Sequence, residues 1–113
     1  MEIKFLSFQD QSNFLHMSEE IVELFSIFRS ELEIITNYDS LMLSVIEDRL
    51  LAHIEGTPFS VEFNDLEQQC FVYSIEDENH PDEFFDFEED SVLEMANYIG
   101  DHIFDDEEEH WKN

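Results

Sequence analysis

Hydrophobic residues in the first third of the chain recur at the spacing of an amphipathic helix. A short apolar segment from Ile3 to Phe8 comes first and predicts a strand or a lead-in. From about Gln11 to Glu31 the hydrophobic positions fall three or four residues apart, which predicts a helix with one buried side. The positions on that side are Phe14, Met17, Ile21, Leu24, Phe25 and Phe28.

A second helix is predicted from Asp39 to Glu55. Asp39 is a suitable N-cap, and Gly56 follows at the position where a helix commonly ends. Four hydrophobic residues at helical spacing would form the buried side of this helix: Leu43, Ile46, Leu50 and Ile54.

After Thr57-Pro58 the pattern changes to the alternation that is typical of strands. Hydrophobic and polar residues alternate from Phe59 to Asn64, and they alternate again from Cys70 to Ile75 after a polar turn. These two strands predict an antiparallel hairpin. A further short strand is predicted from Phe84 to Phe87, after an acidic loop.

The C-terminal part of the chain predicts a last helix. Ser91 and Glu94 have the spacing of a capping box. The hydrophobic positions that follow at helical spacing are Val92, Met95, Ile99 and Ile103. Five consecutive acidic residues, Asp105 to Glu109, predict an acidic tail over residues 105–113. The order of elements predicts an α+β fold, in which two or three helices pack on an antiparallel hairpin or a three- to four-stranded sheet.

Composition indicates a folded chain in spite of its charge. The 113 residues are within the range of one domain, and thirty acidic residues against four basic ones give a formal net charge of −26. Such charge often accompanies disorder, because repulsion outweighs hydrophobic burial. Here 42% of the residues are hydrophobic and twelve are Phe. We therefore expect a single folded domain over residues 1–113.

The charge has an energetic cost that calls for a function. Two like charges about 7 Å apart in water repel each other by roughly 0.6 kcal/mol, and many such pairs reduce a typical stability of about 5–15 kcal/mol. Solubility at high salt, binding of cations and binding of a strongly basic protein are the candidate reasons. Direct binding to nucleic acid or to an anionic membrane is disfavoured.

Cysteine content and hydropathy indicate the compartment. The single cysteine, Cys70, excludes an internal disulfide and fits a reducing cytoplasm. No apolar run approaches the ~20 residues of a bilayer span, and the N-terminus lacks a signal-peptide pattern. We expect a cytoplasmic protein with no membrane association.

Catalytic and metal sites have little support in the sequence. His80 lies in an acidic loop, but Pro81 and the lack of a glycine break the calcium-loop pattern. His102 and His110 have no zinc-ligand spacing. Cys70 lies within a predicted strand, where a buried, inert thiol is expected. We expect no enzyme activity, no metal and no cofactor.

The distribution of charge indicates DNA mimicry. Residues 1–49 have a net charge of −7 and residues 50–113 a net charge of −19, with no basic residue between Arg49 and Lys112. Carboxylates four residues apart on a helix are about 6 Å apart along its axis, a separation comparable with that of phosphates along a DNA strand. Ordered rows of such carboxylates would occupy the DNA groove of a DNA-binding enzyme.

Several short motifs carry a family resemblance. Pro58-Phe59 opens a strand, Ile75 is followed by Asp77-Glu78-Asn79-His80, and Phe85 and Phe87 come next. In these residues the segment from Pro58 to Phe87 resembles the staphylococcal-type uracil-DNA glycosylase inhibitors, which are small acidic DNA mimics. Ser18-Glu19-Glu20-Ile21 is similar to an acidic helix of that family.

The resemblance implies a mechanism. An acidic edge of the inhibitor occupies the DNA groove of the glycosylase, and an apolar pocket captures the residue that the enzyme inserts into duplex DNA. The matching contact residues would be Glu19, Glu20, Asp77, Glu78 and His80. In charge and size the chain also resembles phage anti-restriction DNA mimics.

We therefore predict an inhibitor whose partner is a basic DNA-binding protein or enzyme in the cytoplasm of a bacterial host cell. The best single target is uracil-DNA glycosylase. The predicted partner-binding residues are Glu19, Glu20, Glu76, Asp77, Glu78, His80, Asp82, Glu83, Asp86, Glu88 and Glu89. We expect a monomer or a homodimer. The alternatives are inhibition of a restriction, CRISPR or other defence nuclease, an immunity protein or antitoxin against a basic nuclease toxin, and an acidic chaperone for histone-like proteins.

Overall fold

The computed structural model describes the backbone of residues 1–74 and 79–112 and the side chains of residues 1–74 and 79–103. In this part of the chain there are three helices and six strands. In chain order they are β1 (Glu2–Phe5), α1 (Phe8–Leu15), α2 (Glu19–Ile35), β2 (Ser40–Ile46), β3 (Arg49–Ile54), β4 (Phe59–Asn64), β5 (Gln69–Ser74), β6 (Glu83–Asp86) and α3 (Glu89–Lys112).

The strands form one mixed sheet in the order β1-β2-β3-β4-β5-β6. β1 is parallel to β2, and every other neighbouring pair is antiparallel. A parallel pair needs a crossover connection, which α1 and α2 supply between β1 and β2. The α+β class is confirmed, and the sheet has six strands rather than the three or four that we expected.

The core lies between one face of this sheet and the helices. Phe63 of β4 is fully buried, and its ring centroid lies 6.0 Å from that of Phe25 and 5.8 Å from that of Phe28, both of α2. Leu41, Leu50 and Val72 point to the same side of the sheet and are also fully buried. The opposite face of the sheet is not covered by any helix that the structure describes.

The predicted helix from Asp39 to Glu55 is wrong, because this segment forms the β2–β3 hairpin. Its buried residues alternate along each strand, and Ile46, which the helix prediction buried, is 46% exposed. The chain reverses at Glu47, whose φ of 55° is in the left-handed region. Hydrophobic residues in this segment satisfy both a helical and a strand period, and pairing of β3 with β4 selects the strand.

The helix predicted from Gln11 to Glu31 is two helices that meet at Ser18. The Ile21 N–H donates to the Ser18 Oγ at 3.4 Å, so Ser18 caps α2 and the first helix ends before it. The first helix is held to the sheet by Asp10, whose carboxylate accepts from the Val45 N–H at 2.9 Å. The hydrogen bond from the Ser7 hydroxyl, followed by the one from the Val45 N–H, lowers the pKa of Asp10.

The strands and helix predicted in the second half are confirmed, with shifted boundaries. The hairpin is β4–β5, and the short strand is β6. Val92, Met95, Ile99 and Ile103 are buried in α3, as predicted. The capping box is wrong: α3 begins at Glu89, and the Ser91 hydroxyl lies in its first turn and donates to Glu88 Oε1 at 3.2 Å. The helix continues through residues 105–109, where we expected a tail.

No helix in the described part of the chain combines the length and the apolar character needed to cross a bilayer.

Candidate functional site

One end of the sheet gathers several acidic segments of the chain. Ile46 pairs with Arg49, Arg49 with Asn64, and Gln69 with Asp86. Since these pairs form one continuous row across β2 to β6, the β2–β3 turn, the β4–β5 turn and the end of β6 lie at the same end of the sheet. Each of these three segments carries exposed acidic residues.

The start of α2 lies against this end. A cavity of about 300 Å³ is lined by Ser18 and Ile21 of α2 together with Glu47, Asp48 and Asp65 of the two turns. Glu19 and Glu20 form the first turn of α2 and are exposed. The acidic start of this helix is therefore close to the acidic turns of the sheet.

The start of α3 completes the arrangement, because α2 and α3 run side by side in the same direction. Glu23 of α2 and Glu89 of α3 line one shallow groove between the two helices. About three turns further along, Gly100 of α3 faces α2 closely, because a methyl group at this position would come within 2.9 Å of the Ile35 side chain. Both helices thus begin at the same end of the molecule.

We call this surface the acidic end. Its residues come from two turns, one strand end and two helix starts: Glu19, Glu20, Glu47, Asp48, Asp65, Glu67, Asp86, Glu88, Glu89 and Asp90. Asp65 is half-buried and all the others are exposed. The positive ends of two helix dipoles offset part of the repulsion among the carboxylates at the helix starts.

The described basic groups pair with residues that do not belong to the acidic end. Among described residues, the ion pairs join the N-terminal ammonium group to Glu33 at 2.5 Å, Lys4 to Glu55 at 3.2 Å and Arg49 to Glu62 at 3.8 Å. The Arg29 guanidinium donates to the Met1 carbonyl oxygen. None of these pairs includes a residue of the acidic end, so its carboxylates have no basic partner within the described side chains.

The structure divides the predicted binding residues into two groups. Five of them are at the acidic end: Glu19, Glu20, Asp86, Glu88 and Glu89. Asp82 and Glu83 are at the other end of β6, where Glu83 pairs with Val72, and exposed His80 precedes them. The remaining three, Glu76, Asp77 and Glu78, lie outside the described residues.

Five residues of the acidic end were not among the predicted binding residues, and one of them is Asp90 in the first turn of α3. Glu47 and Asp48 were assigned to the interior of a helix, and Asp65 and Glu67 were treated only as part of a polar turn. Acidic pairs at turns that join two strands are visible in a sequence once the strands are assigned correctly. Their proximity to the start of α2 depends on how the helix packs, so it is not visible in the sequence.

The uncovered face of the sheet carries a different kind of site. A concavity of about 440 Å³ is lined by Arg49, His53, Ser60, Glu62 and Tyr73, among others. The side chain of Glu62 is only 7% exposed and accepts from Asn64 Nδ2 at 3.1 Å. Burial and the Glu62 carboxylate raise the pKa of Tyr73, which keeps its hydroxyl protonated. Leu51 and Pro58 line the concavity as well, so its wall combines apolar and polar side chains.

Cys70 is fully buried in β5, and burial raises the pKa of its thiol to about 12. Among the described residues, no group of three or more His, Cys, Asp or Glu is arranged to hold a metal ion. The described geometry therefore offers neither a reactive thiolate nor a metal centre, and its distinctive chemistry is the acidic end.

We expect Cys70 to be inert to thiol reagents in the native protein. A thiol with a pKa of about 12 has almost no thiolate at pH 8, and its burial also blocks access of the reagent. A colorimetric disulfide reagent should react fully in denaturant and at least about 100-fold more slowly without it. Equal rates in the two conditions would contradict burial of Cys70.

Comparisons of the chain with known protein families, curated proteins and solved structures found no match. The resemblance to uracil-DNA glycosylase inhibitors therefore stays a prediction.

Proposed function

We propose that this protein is a DNA mimic that inhibits a DNA-binding enzyme by occupying its DNA groove. The observation that carries the proposal is the acidic end: carboxylates from five segments of the chain meet at one surface and have no basic partner among the described side chains. A groove that binds DNA presents lysine and arginine side chains at positions fixed by phosphates. Carboxylates that strands and helices hold in position can pair with the same lysine and arginine side chains.

Rigidity distinguishes this surface from an ordinary acidic one. The turns are fixed by the sheet register. In the β4–β5 turn the Glu67 N–H also donates a hydrogen bond to Asn64 Oδ1 at 2.9 Å. A backbone that is fixed before binding loses little conformational entropy when its carboxylates bind, which supports high affinity. Release of counterions from both surfaces makes binding strong at low salt and weak at high salt.

Uracil-DNA glycosylase is the proposed target, and the basis for this choice is the sequence resemblance. Glu19 and Glu20, which the resemblance implies as contacts, are at the acidic end. The protein would then act in the cytoplasm of a bacterial host, as a counter-defence factor of a phage or mobile element. It would bind its enzyme as a monomer or homodimer, without a cofactor and without catalysis of its own.

The experiment is an inhibition assay with purified bacterial uracil-DNA glycosylase on uracil-containing duplex DNA. We expect inhibition at or below micromolar protein, relieved by an excess of the uracil-containing substrate DNA, which competes for the same cationic groove, and by added salt, which weakens binding of the carboxylates to it. Poly-glutamate at matched total charge serves as the control, since it has carboxylates without a fixed arrangement. It should inhibit much more weakly.

Full glycosylase activity in the presence of micromolar protein would remove this target. A second assay then measures inhibition of restriction and CRISPR nucleases, because these enzymes also bind duplex DNA. Capture of partners from a bacterial lysate separates a mimic of general DNA shape, which binds several DNA-binding enzymes, from an immunity protein, which binds one toxin. Absence of any DNA-binding protein among the captured partners would contradict DNA mimicry itself.

A further inference from the structure

The groove between α2 and α3 is lined by apolar residues, which we call its floor, by glutamates, which we call its rim, and by Ser26 and Ser30. The floor consists of Ile27, Ile34 and Leu93, and Ile34 is 78% exposed. Glu23 and Glu31 of α2 and Glu89 of α3 line the same groove. No described ion pair includes any of these three glutamates. The exposed Ile34 side chain keeps apolar surface in contact with water, and no described residue covers it.

We propose that this groove binds an amphipathic basic helix of the partner protein. The inference deepens the proposed function and rests on its claim that the partner is basic: it names the element of the partner that the protein recognises in addition to the DNA-binding groove. Apolar side chains on one face of the partner helix contact Ile27, Ile34 and Leu93. Lysine and arginine side chains beside that face pair with the glutamates of the rim.

The dimensions of the groove fit a helix. From Glu23 to Ile34 the groove follows α2 for about 16 Å, the length of roughly three helical turns. Its volume is about 440 Å³, and it lies between two helices that run side by side. A third helix packs into such a groove at an axial distance of about 8–10 Å, with its apolar ridge between the two below it.

Charge selects the partner over other occupants. A second copy of this chain would bring a surface of a protein with net charge −26 against Glu23, Glu31 and Glu89. An acidic or neutral helix would leave these carboxylates desolvated and unpaired at the rim of the interface. A basic amphipathic helix covers the apolar residues of the floor and pairs with the glutamates of the rim.

The groove also adjoins the acidic end, which shares Glu89 with it. A partner that places its DNA-binding groove over the acidic end therefore has its neighbouring surface over α2 and α3. Apolar contact there supplies affinity that salt does not screen, whereas the carboxylates of the acidic end supply affinity that it does.

The test uses the full chain and two labelled synthetic peptides of about 18 residues, or five helical turns. One peptide has leucines along one helical face and lysines elsewhere, and the other has the same composition in scrambled order. Binding is measured by fluorescence anisotropy at physiological salt and at several times that concentration. We expect the amphipathic peptide to bind more tightly at both concentrations and to retain more of its affinity at high salt.

Substitutions locate the binding site. Ile34→Ser should weaken binding of the amphipathic peptide about tenfold, because the exposed isoleucine becomes buried in the complex. Glu31→Gln should weaken it about two- to threefold. The matched controls are Leu6→Ser, at a residue that is 69% exposed after β1, and Glu2→Gln, at the start of β1; both should leave it unchanged. Because Ile34 is exposed, its substitution does not endanger folding.

Equal affinity for the two peptides, or no effect of Ile34→Ser, would overturn the proposal. So would a dimer of the wild-type chain in sedimentation that Ile34→Ser converts into a monomer, because a second copy would then occupy the groove. The glycosylase assay separates the two proposals. Unchanged inhibition by Ile34→Ser rejects the groove and keeps DNA mimicry, whereas groove binding of the peptide without inhibition of any DNA-binding enzyme rejects DNA mimicry and keeps the groove.

Discussion

Phe63→Ala is expected to lower the free energy of unfolding by about 3–5 kcal/mol, the usual cost of removing a fully buried phenylalanine ring. The ring packs edge-on against both Phe25 and Phe28, so its removal opens a cavity between the sheet and α2 that neither neighbour can fill alone. In a chain whose stability is already reduced by repulsion among its carboxylates, this loss is a large fraction of the total. Urea denaturation followed by circular dichroism measures it.

The control for this variant is Phe84→Ala. Phe84 is 60% exposed on β6, on the uncovered face of the sheet, so we expect a loss below about 1 kcal/mol. Both unfolding curves are best recorded in about 1 M salt, where the Debye length is near 3 Å and repulsion does not unfold the core variant. Similar losses for the two variants would mean that the core is not where the structure places it.

Neutralising the acidic end is expected to weaken inhibition of the target enzyme between about 10- and 100-fold. The variant combines Glu20→Gln, Glu67→Gln and Glu89→Gln, one residue from each of three segments of the acidic end. Three lost charge pairs at up to about 1 kcal/mol each produce this range. The slope of log affinity against log salt should become shallower by up to about three, because fewer counterions are released.

The matched control changes the net charge equally at the opposite end. Glu2→Gln and Asp39→Asn lie where the parallel strands β1 and β2 begin, and Asp101→Asn lies about three turns along α3 from its start. If binding responded only to total charge, this triple variant would lose as much affinity as the first. We expect less than a threefold loss. Equal losses for the two variants would contradict an ordered binding surface at the acidic end.

Local patterns predicted the second half of the fold well. The β4–β5 hairpin and the buried side of α3 were both visible, because each has a single hydrophobic period and a turn or a long run to support it. The segment from Asp39 to Glu55 was assigned to the wrong class. Its leucines and isoleucines fit two periods, and only pairing with β4 on one side and β1 on the other distinguishes them.

The candidate site likewise depends on contacts between distant segments that local sequence patterns do not show. Glu19 and Glu20 were predicted from the family resemblance and Glu88 from an acidic segment, and the structure places all three at one end of the molecule. Nothing along the chain shows that residues about 70 positions apart are neighbours. The wrong helix also concealed Glu47 and Asp48, which as a turn become part of the acidic end.

The sequence by itself determined the charge, its concentration after Arg49 and the presence of enough aromatic residues for a core. These are properties of composition and order, and no arrangement of the chain alters them. Tertiary structure decided which carboxylates become neighbours and which hydrophobic residues stay exposed. The physical reason is that both depend on contacts between distant segments: the sheet register aligns two turns with the end of β6, and the packing of α2 beside α3 creates the groove around Ile34.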